Sequence, residues 1–184
     1  LPNIPGFELL EEIGRGATSR VFRACQVTLD REVALKIITT LGEKGRRRAV
    51  RLFREARLSG ALDHPGIVRG IDAGEGDGSC WFAMDLVDGE SLQELLDREE
   101  HMPLGEVLGL AEALLEALDH AHRRGVTHRD IKPANILIDI DGVPRILDLG
   151  LARRQADPTL TGEGAVGTPQ YMAPEQAREP TKVD

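Results

Sequence analysis

The sequence predicts an α+β fold of two lobes: a five-stranded antiparallel sheet with one helix, followed by the first part of a helical lobe. Three observations predict it. Short β-branched or alternating runs fill 7–13, 20–27 and 31–38, and two more follow at 67–73 and 80–86. Between them lies one charged stretch, Glu43 to Leu62, whose Leu52, Phe53, Ala56 and Leu58 recur on a single helical face. After Gly89 the texture turns helical. The expected organisation is a β-rich domain over 1–87, built as a meander, and a helical domain over 88–184, meeting near residues 85–90.

The boundaries of the elements have local causes. Gly14-Arg15-Gly16 and the turn at Asp30-Arg31 separate the first three strands, and His64-Pro65-Gly66 ends the helix. Gly74–Gly78 turns the last two strands. Ser91 and Glu94 have the spacing of a capping box, in which hydroxyl and carboxylate satisfy first-turn N–H groups reciprocally. Residues 104–124 carry Leu, Val and Ala at helical spacing, with Gly125 as the stop. Ile136–Ile138 and Arg145–Leu147 flank Asp141-Gly142 as a hairpin. Gly150–Gly167, polar and rich in Gly and Thr, reads as a mobile loop.

Composition narrows the class. The 184 residues are 41% hydrophobic and 29% charged, ordinary globular values that exclude whole-chain disorder. Two cysteines, Cys25 and Cys80, make no disulfide framework or zinc cluster and suggest a reducing, cytoplasmic setting. No apolar run reaches the roughly 20 residues of a membrane helix, and acidic Glu8, Glu11 and Glu12 stand where a signal peptide would be basic. A net charge of −8 argues against nucleic acid as a partner. The opening on Leu1 and the end at Asp184 lead us to expect an excised piece of a longer protein.

Two stretches carry chemistry. Gly14 and Gly16, between two strands, let backbone N–H groups approach phosphate oxygens, although an ordinary hairpin turn accounts for the same glycines. No helix opens directly after them and no Gly-Lys-Ser/Thr follows, so neither a dinucleotide fold nor a Walker loop fits. In Val33-Ala34-Leu35-Lys36, alternation puts Ala34 and Lys36 on one face. An inner-face lysine needs an anion, and Glu55 on the following helix is the candidate. The second stretch, Thr127 to Asn135, packs polar side chains between apolar segments. Thirteen residues on comes Asp148-Leu149-Gly150, behind a hairpin able to fold Asp148 back toward Asn135. Their oxygens suit Mg²⁺, while Asp130 can take a proton from a hydroxyl and Lys132 can neutralise developing charge.

These residues, with Ala173-Pro174-Glu175, resemble the protein-kinase signature set: glycine-rich loop Gly14–Val21, strand lysine Lys36, helix Glu55, His128–Asn135, Asp148–Gly150 and the Ala-Pro-Glu segment, in that order. The chain is most similar to the eukaryotic-like serine/threonine kinases of bacteria, through His128–Asn135 and Gly167–Glu175. The resemblance implies a two-lobe kinase fold, ATP and Mg²⁺ as cofactors, and transfer of the γ-phosphate to Ser/Thr of protein substrates. It implies that Gly14 and Gly16 cover the phosphates, that Lys36 holds them and that Glu55 positions Lys36. Val21, Ala34 and Leu137 would sandwich adenine, with Met84 at the back and Asp85 to Val87 offering backbone hydrogen bonds. Asp130 would be the base, assisted by Lys132, with Asn135 and Asp148 on magnesium. His128 would pack beneath Leu149. Arg129 implies control by a phosphate on Thr159 or Thr161, and dimers would permit autophosphorylation in trans.

The sequence departs from the family in three places. Ser19 replaces a loop glycine, Leu149 replaces Phe, and the chain ends nine residues after Glu175, so that a partial, poorly stable helical lobe with exposed apolar surface is expected. Two other readings stay open: a non-catalytic, nucleotide-binding signalling module, and a small-molecule phosphotransferase. The arginine-rich run around Arg46-Arg47-Arg48 reads as a solvated helix face. His120 and His122 point to different faces, Asp139–Gly142 is a hairpin turn, and Thr161 and Thr168 are equally suited to capping or turns.

Overall fold

The computed structural model describes residues 2–16, 18–40, 42–99, 101–149, 153–154 and 168–175. They fall into two compact units, one within Leu1–Asp63 and Val68–Val87, the other within His64–Ile67 and Asp88–Asp184.

The first unit contains β1 (Phe7–Arg15), β2 (Ser19–Gln26), β3 (Arg31–Thr39), α1 (Gly42–Ser59), β4 (Gly70–Gly76) and β5 (Ser79–Asp85). All pairings are antiparallel, in the order β1-β2-β3-β5-β4. The sheet is therefore not the expected meander, because β5 sits between β3 and β4. Burial explains the exchange. Six of the seven residues of β5 are buried, whereas β4 carries Gly70, Gly74 and Gly76 and suits an edge. A Cβ on Gly74 would lie 2.5 Å from the Trp81 ring, so this glycine lets β4 close over it. The expected strand at 67–73 starts later, at Gly70, while Ile67 belongs to the second unit and bridges Ile146 within it.

One face of this sheet is a continuous core of Phe7, Phe22, Ala24, Val33, Leu35, Ile37, Trp81 and Ala83. Phe7 meets Trp81 edge-on, with centroids 5.0 Å apart. On α1, Leu52, Glu55 and Leu58 are buried at the three-residue spacing of one helical stripe, and Arg46, Arg47, Arg51 and Arg57 lie exposed. The helix stops at Ser59 instead of Leu62, where the Ser59 hydroxyl donates to the Val68 carbonyl at 2.6 Å.

The second unit contains β6 (Gly89–Ser91), α2 (Leu92–Arg98), α3 (Leu104–Arg123), β7 (Val126–Thr127), a 3-10 turn at Pro133–Asn135, β8 (Ile136–Asp139), β9 (Pro144–Ile146), β10 (Arg153–Arg154) and a 3-10 turn at Pro169–Tyr171. β6, β8 and β9 form one small sheet, and β7 pairs with β10. That pairing corrects the reading of 150–167 as loop throughout: backbone bonds join Arg153–Arg154 to Val126–Thr127. The capping box is present, with Glu94 N–H donating to Ser91 Oγ at 3.2 Å and Ser91 N–H to Glu94 Oε2 at 2.8 Å. Ser91→Ala should therefore cost about 1 kcal/mol of stability, read as a lower urea midpoint with unchanged slope. Gly125, at φ 71°, lets the chain turn out of α3 in a left-handed conformation. Leu104, Leu108 and Leu115 on α3 are exposed.

Candidate active site

In the first unit the glycine hairpin closes through Gly14↔Val21 and Arg15↔Arg20 pairs, and Gly16 N–H donates to the Ser19 carbonyl at 2.9 Å. Val21 stands opposite Lys36, and Ala34 opposite Met84. These pairs share the face turned away from Val33, Leu35 and Ile37 of the core. Lys36 Nζ donates to Glu55 Oε1 at 2.9 Å and Oε2 at 3.0 Å, with only 17% and 6% of the two side chains exposed. Strand alternation brings the ammonium to this face, and the buried stripe of α1 supplies the carboxylate that offsets its desolvation. Met84 is buried, and Asp85 and Val87 are half-buried. The Asp85 amide donates to the Arg69 carbonyl at 3.0 Å, which narrows what Asp85 can offer a ligand to its carbonyl.

In the second unit Asp130 is the hub. Its Oδ1 accepts the backbone N–H and the hydroxyl of Thr168, each at 3.0 Å. Its Oδ2 accepts Lys132 Nζ at 2.8 Å and Asn135 Nδ2 at 3.0 Å. Lys132 also donates to Thr168 Oγ1 at 2.8 Å, so this hydroxyl receives from the lysine and gives to the aspartate. Asn135 Nδ2 further donates to the Asp130 carbonyl at 2.8 Å, which turns the amide oxygen of Asn135 away from Asp130. The Leu147 N–H donates to the Asn135 carbonyl at 2.8 Å and Ile136 pairs with Ile146, so the hairpin carries Asp148 back to the end of the Asn135 turn. Arg129 and Asp148 both take positive φ, 69° and 62°. Such strain at non-glycine residues is concentrated where side-chain direction matters. A carboxylate and an amide oxygen are the hard donors that Mg²⁺ accepts, so the residues present fit that ion. Leu137 lies half-buried in β8.

His128 is buried, and the Asp130 N–H donates to its Nδ1 at 3.3 Å. Its Nε2 consequently carries the proton and donates to the Leu147 carbonyl at 2.8 Å. Burial pushes its pKa down, against the opposing pull of the Leu147 carbonyl, Asp148 and Asp130. An unfolded histidine binds a proton near pH 6.5 that the folded one refuses. Stability should thus be complete above about pH 6.5 and fall as pH drops below it. Urea midpoints should show this decline in the parent and a shallower one in His128→Gln.

Sequence reasoning brought together Lys36 with Glu55, and Asp130 with Lys132 and Asn135. It missed Thr168, whose only local signal is its place before Pro169 in Gly167–Glu175. Thr159, Thr161 and Gly150 lie outside the described residues.

Residues 7–183 match the protein kinase domain. The chain is 39% identical over 176 residues to the serine/threonine-protein kinase pkn3 of Myxococcus xanthus, covering 90% of this chain and 32% of that protein. It is 38% identical to PrkC of Bacillus subtilis, over 94% of this chain and 27% of that kinase. It is 35% identical to PknB of Mycobacterium leprae, over 94% of this chain and 29% of that kinase. The chain thus spans about a third or less of the length of these relatives. The match runs from the first residue of β1 almost to Asp184, and on that ground the chain belongs to the protein kinase family, with bacterial serine/threonine-protein kinases as its relatives.

Proposed function

We propose that this chain transfers the γ-phosphoryl group of Mg·ATP to Ser and Thr hydroxyls of proteins, on the cytoplasmic side of the cell. The observation that carries the reading is the Asp130–Lys132–Thr168–Asn135 network, a carboxylate held in place with a cation beside it. Bound Mg·ATP supplies an activated phosphoryl group whose charge is partly neutralised by the metal. Asn135 and Asp148 offer that metal an amide oxygen and a carboxylate. Gly14 and Gly16 let the hairpin backbone approach the phosphates with no Cβ in the way, although the Gly16 N–H is itself bonded to the Ser19 carbonyl. Lys36, fixed by Glu55, gives the phosphates a positive charge. Val21, Ala34, Met84 and Leu137 provide apolar surface for adenine, and Asp85 and Val87 provide backbone polar groups. Asp130 Oδ takes the proton of the incoming hydroxyl as its oxygen bonds to phosphorus and ADP leaves. Lys132 stabilises charge on the transferred group. Most of the acceleration comes from positioning.

Control follows from the same residues. A phosphate on Thr159 or Thr161 pairs with Arg129, the residue next to the base, and a dimer allows one copy to modify the other. The test is phosphate incorporation from Mg·ATP in the intact protein, with site mapping by mass spectrometry. Phosphoserine or phosphothreonine in substrate supports the reading, and phosphate on Thr159 or Thr161 of active protein supports the control. Folded protein that binds Mg·ATP without transfer would make it a non-catalytic nucleotide-binding module.

A further inference from the structure

The back of the glycine hairpin carries a charge cluster that the phosphate chemistry does not use. Arg15 Nε donates to Glu12 Oε1 at 2.7 Å and Arg15 NH2 to Oε2 at 3.0 Å. From the other strand, Arg20 Nε donates to Glu12 Oε2 at 3.0 Å, reinforced by its NH2, and its guanidinium lies 4.7 Å from the Phe22 ring centroid. Two arginines from the two arms of one hairpin thus converge on a single carboxylate.

The register gives this cluster its meaning. Arg15 and Arg20 are direct cross-strand partners, and like charges placed opposite one another push an antiparallel pair apart. A bulge between Glu12 and Gly14 interrupts the ladder at the same point, so backbone pairing is weakest there. Arg20 and Phe22 lie on one face of β2, and Val21, opposite Lys36, lies on the other. Two neighbouring carboxylates are engaged elsewhere: Glu11 and Glu32 both bind Arg23, at 3.6 and 2.8 Å. The two guanidiniums also hold the Glu12 carboxyl well below the usual range, at about 2, so it stays ionised at any working pH.

The geometry points to Glu12 as a positioning residue of the glycine hairpin: from the face opposite Lys36 it neutralises the Arg15–Arg20 repulsion and holds the loop in its phosphate-binding shape. This rests on the nucleotide reading of that loop. Without the Glu12 charge, the facing arginines open the hairpin tip, and ligands with phosphates lose affinity while those without do not.

The experiment is calorimetric titration of the intact protein with Mg·ADP and, separately, with adenosine. Glu12→Gln should bind Mg·ADP about three- to ten-fold more weakly than the parent and bind adenosine equally well. High salt should narrow the parent-to-variant gap, because the residual repulsion is between exposed charges. Glu12→Gln/Arg20→Gln, which removes one of the facing cations, should recover most of the loss. The proposal is overturned by unchanged Mg·ADP affinity in Glu12→Gln, by an equal loss for adenosine, or by a gap that neither salt nor the second substitution reduces. A parent protein that binds neither ligand overturns instead the nucleotide reading beneath it.

Discussion

Asp130→Asn is expected to slow phosphoryl transfer by about 10²–10⁴-fold while leaving the affinity for Mg·ADP within error of the parent. An amide cannot take up the hydroxyl proton. It also cannot accept on both sides: Asp130 receives Thr168 on Oδ1 and Lys132 with Asn135 on Oδ2, all donors. An asparagine would turn its own N–H groups toward one of these sets, and the Lys132 ammonium would lose its carboxylate. The loss should fall on kcat, because Lys36 and Glu55 form their pair without any part of this network. Comparable losses of Mg·ADP binding and turnover would assign Asp130 a structural part instead. Unchanged turnover would remove it from the chemistry.

Much of this site was legible because short-range periodicities place it. Strand alternation alone puts Lys36 opposite the core-facing Val33 and Leu35, and helical spacing puts Glu55 between the buried Leu52 and Leu58. Asp130, Lys132 and Asn135 lie within six residues of chain, so their meeting needs no long-range information. Thr168 is different. It reaches Asp130 from 38 residues away, and nothing in its neighbours distinguishes a threonine that caps a turn from one that bonds a distant carboxylate. Glu12 escaped for another reason. Its partners come from beyond a bulge, where the period-2 rule that serves β3 fails. The exchange of β4 and β5 in the sheet is likewise a matter of long-range pairing, though the unbroken apolar run Trp81–Met84 beside the glycines of β4 was a signal that β5 belongs inside.

The Lys36–Glu55 pair separates stability from activity. With 17% and 6% of their side chains exposed, both charges are largely withdrawn from water, and each is tolerated through the other. Lys36→Met removes the cation that both Glu55 carboxylate oxygens accept and should lower stability by about 3 kcal/mol. Glu55→Gln leaves the ammonium with a neutral acceptor and should cost less than Lys36→Met. Lys36→Met/Glu55→Leu replaces both charges by apolar groups of similar volume and should regain most of what Lys36→Met loses, because the two bonded charges leave together. Turnover should follow a different order. Glu55→Gln keeps a cation for the phosphates but not its fixed position, and should retain some transfer. Both variants lacking Lys36 should lose it alike, however stable they are. Urea unfolding and phosphate incorporation on the same preparations read the two orders independently. If the double variant were as unstable as the sum of its parts, the pair would not be the coupled buried unit its geometry indicates. If Lys36→Met turned over normally, the phosphates would have to be held by other groups.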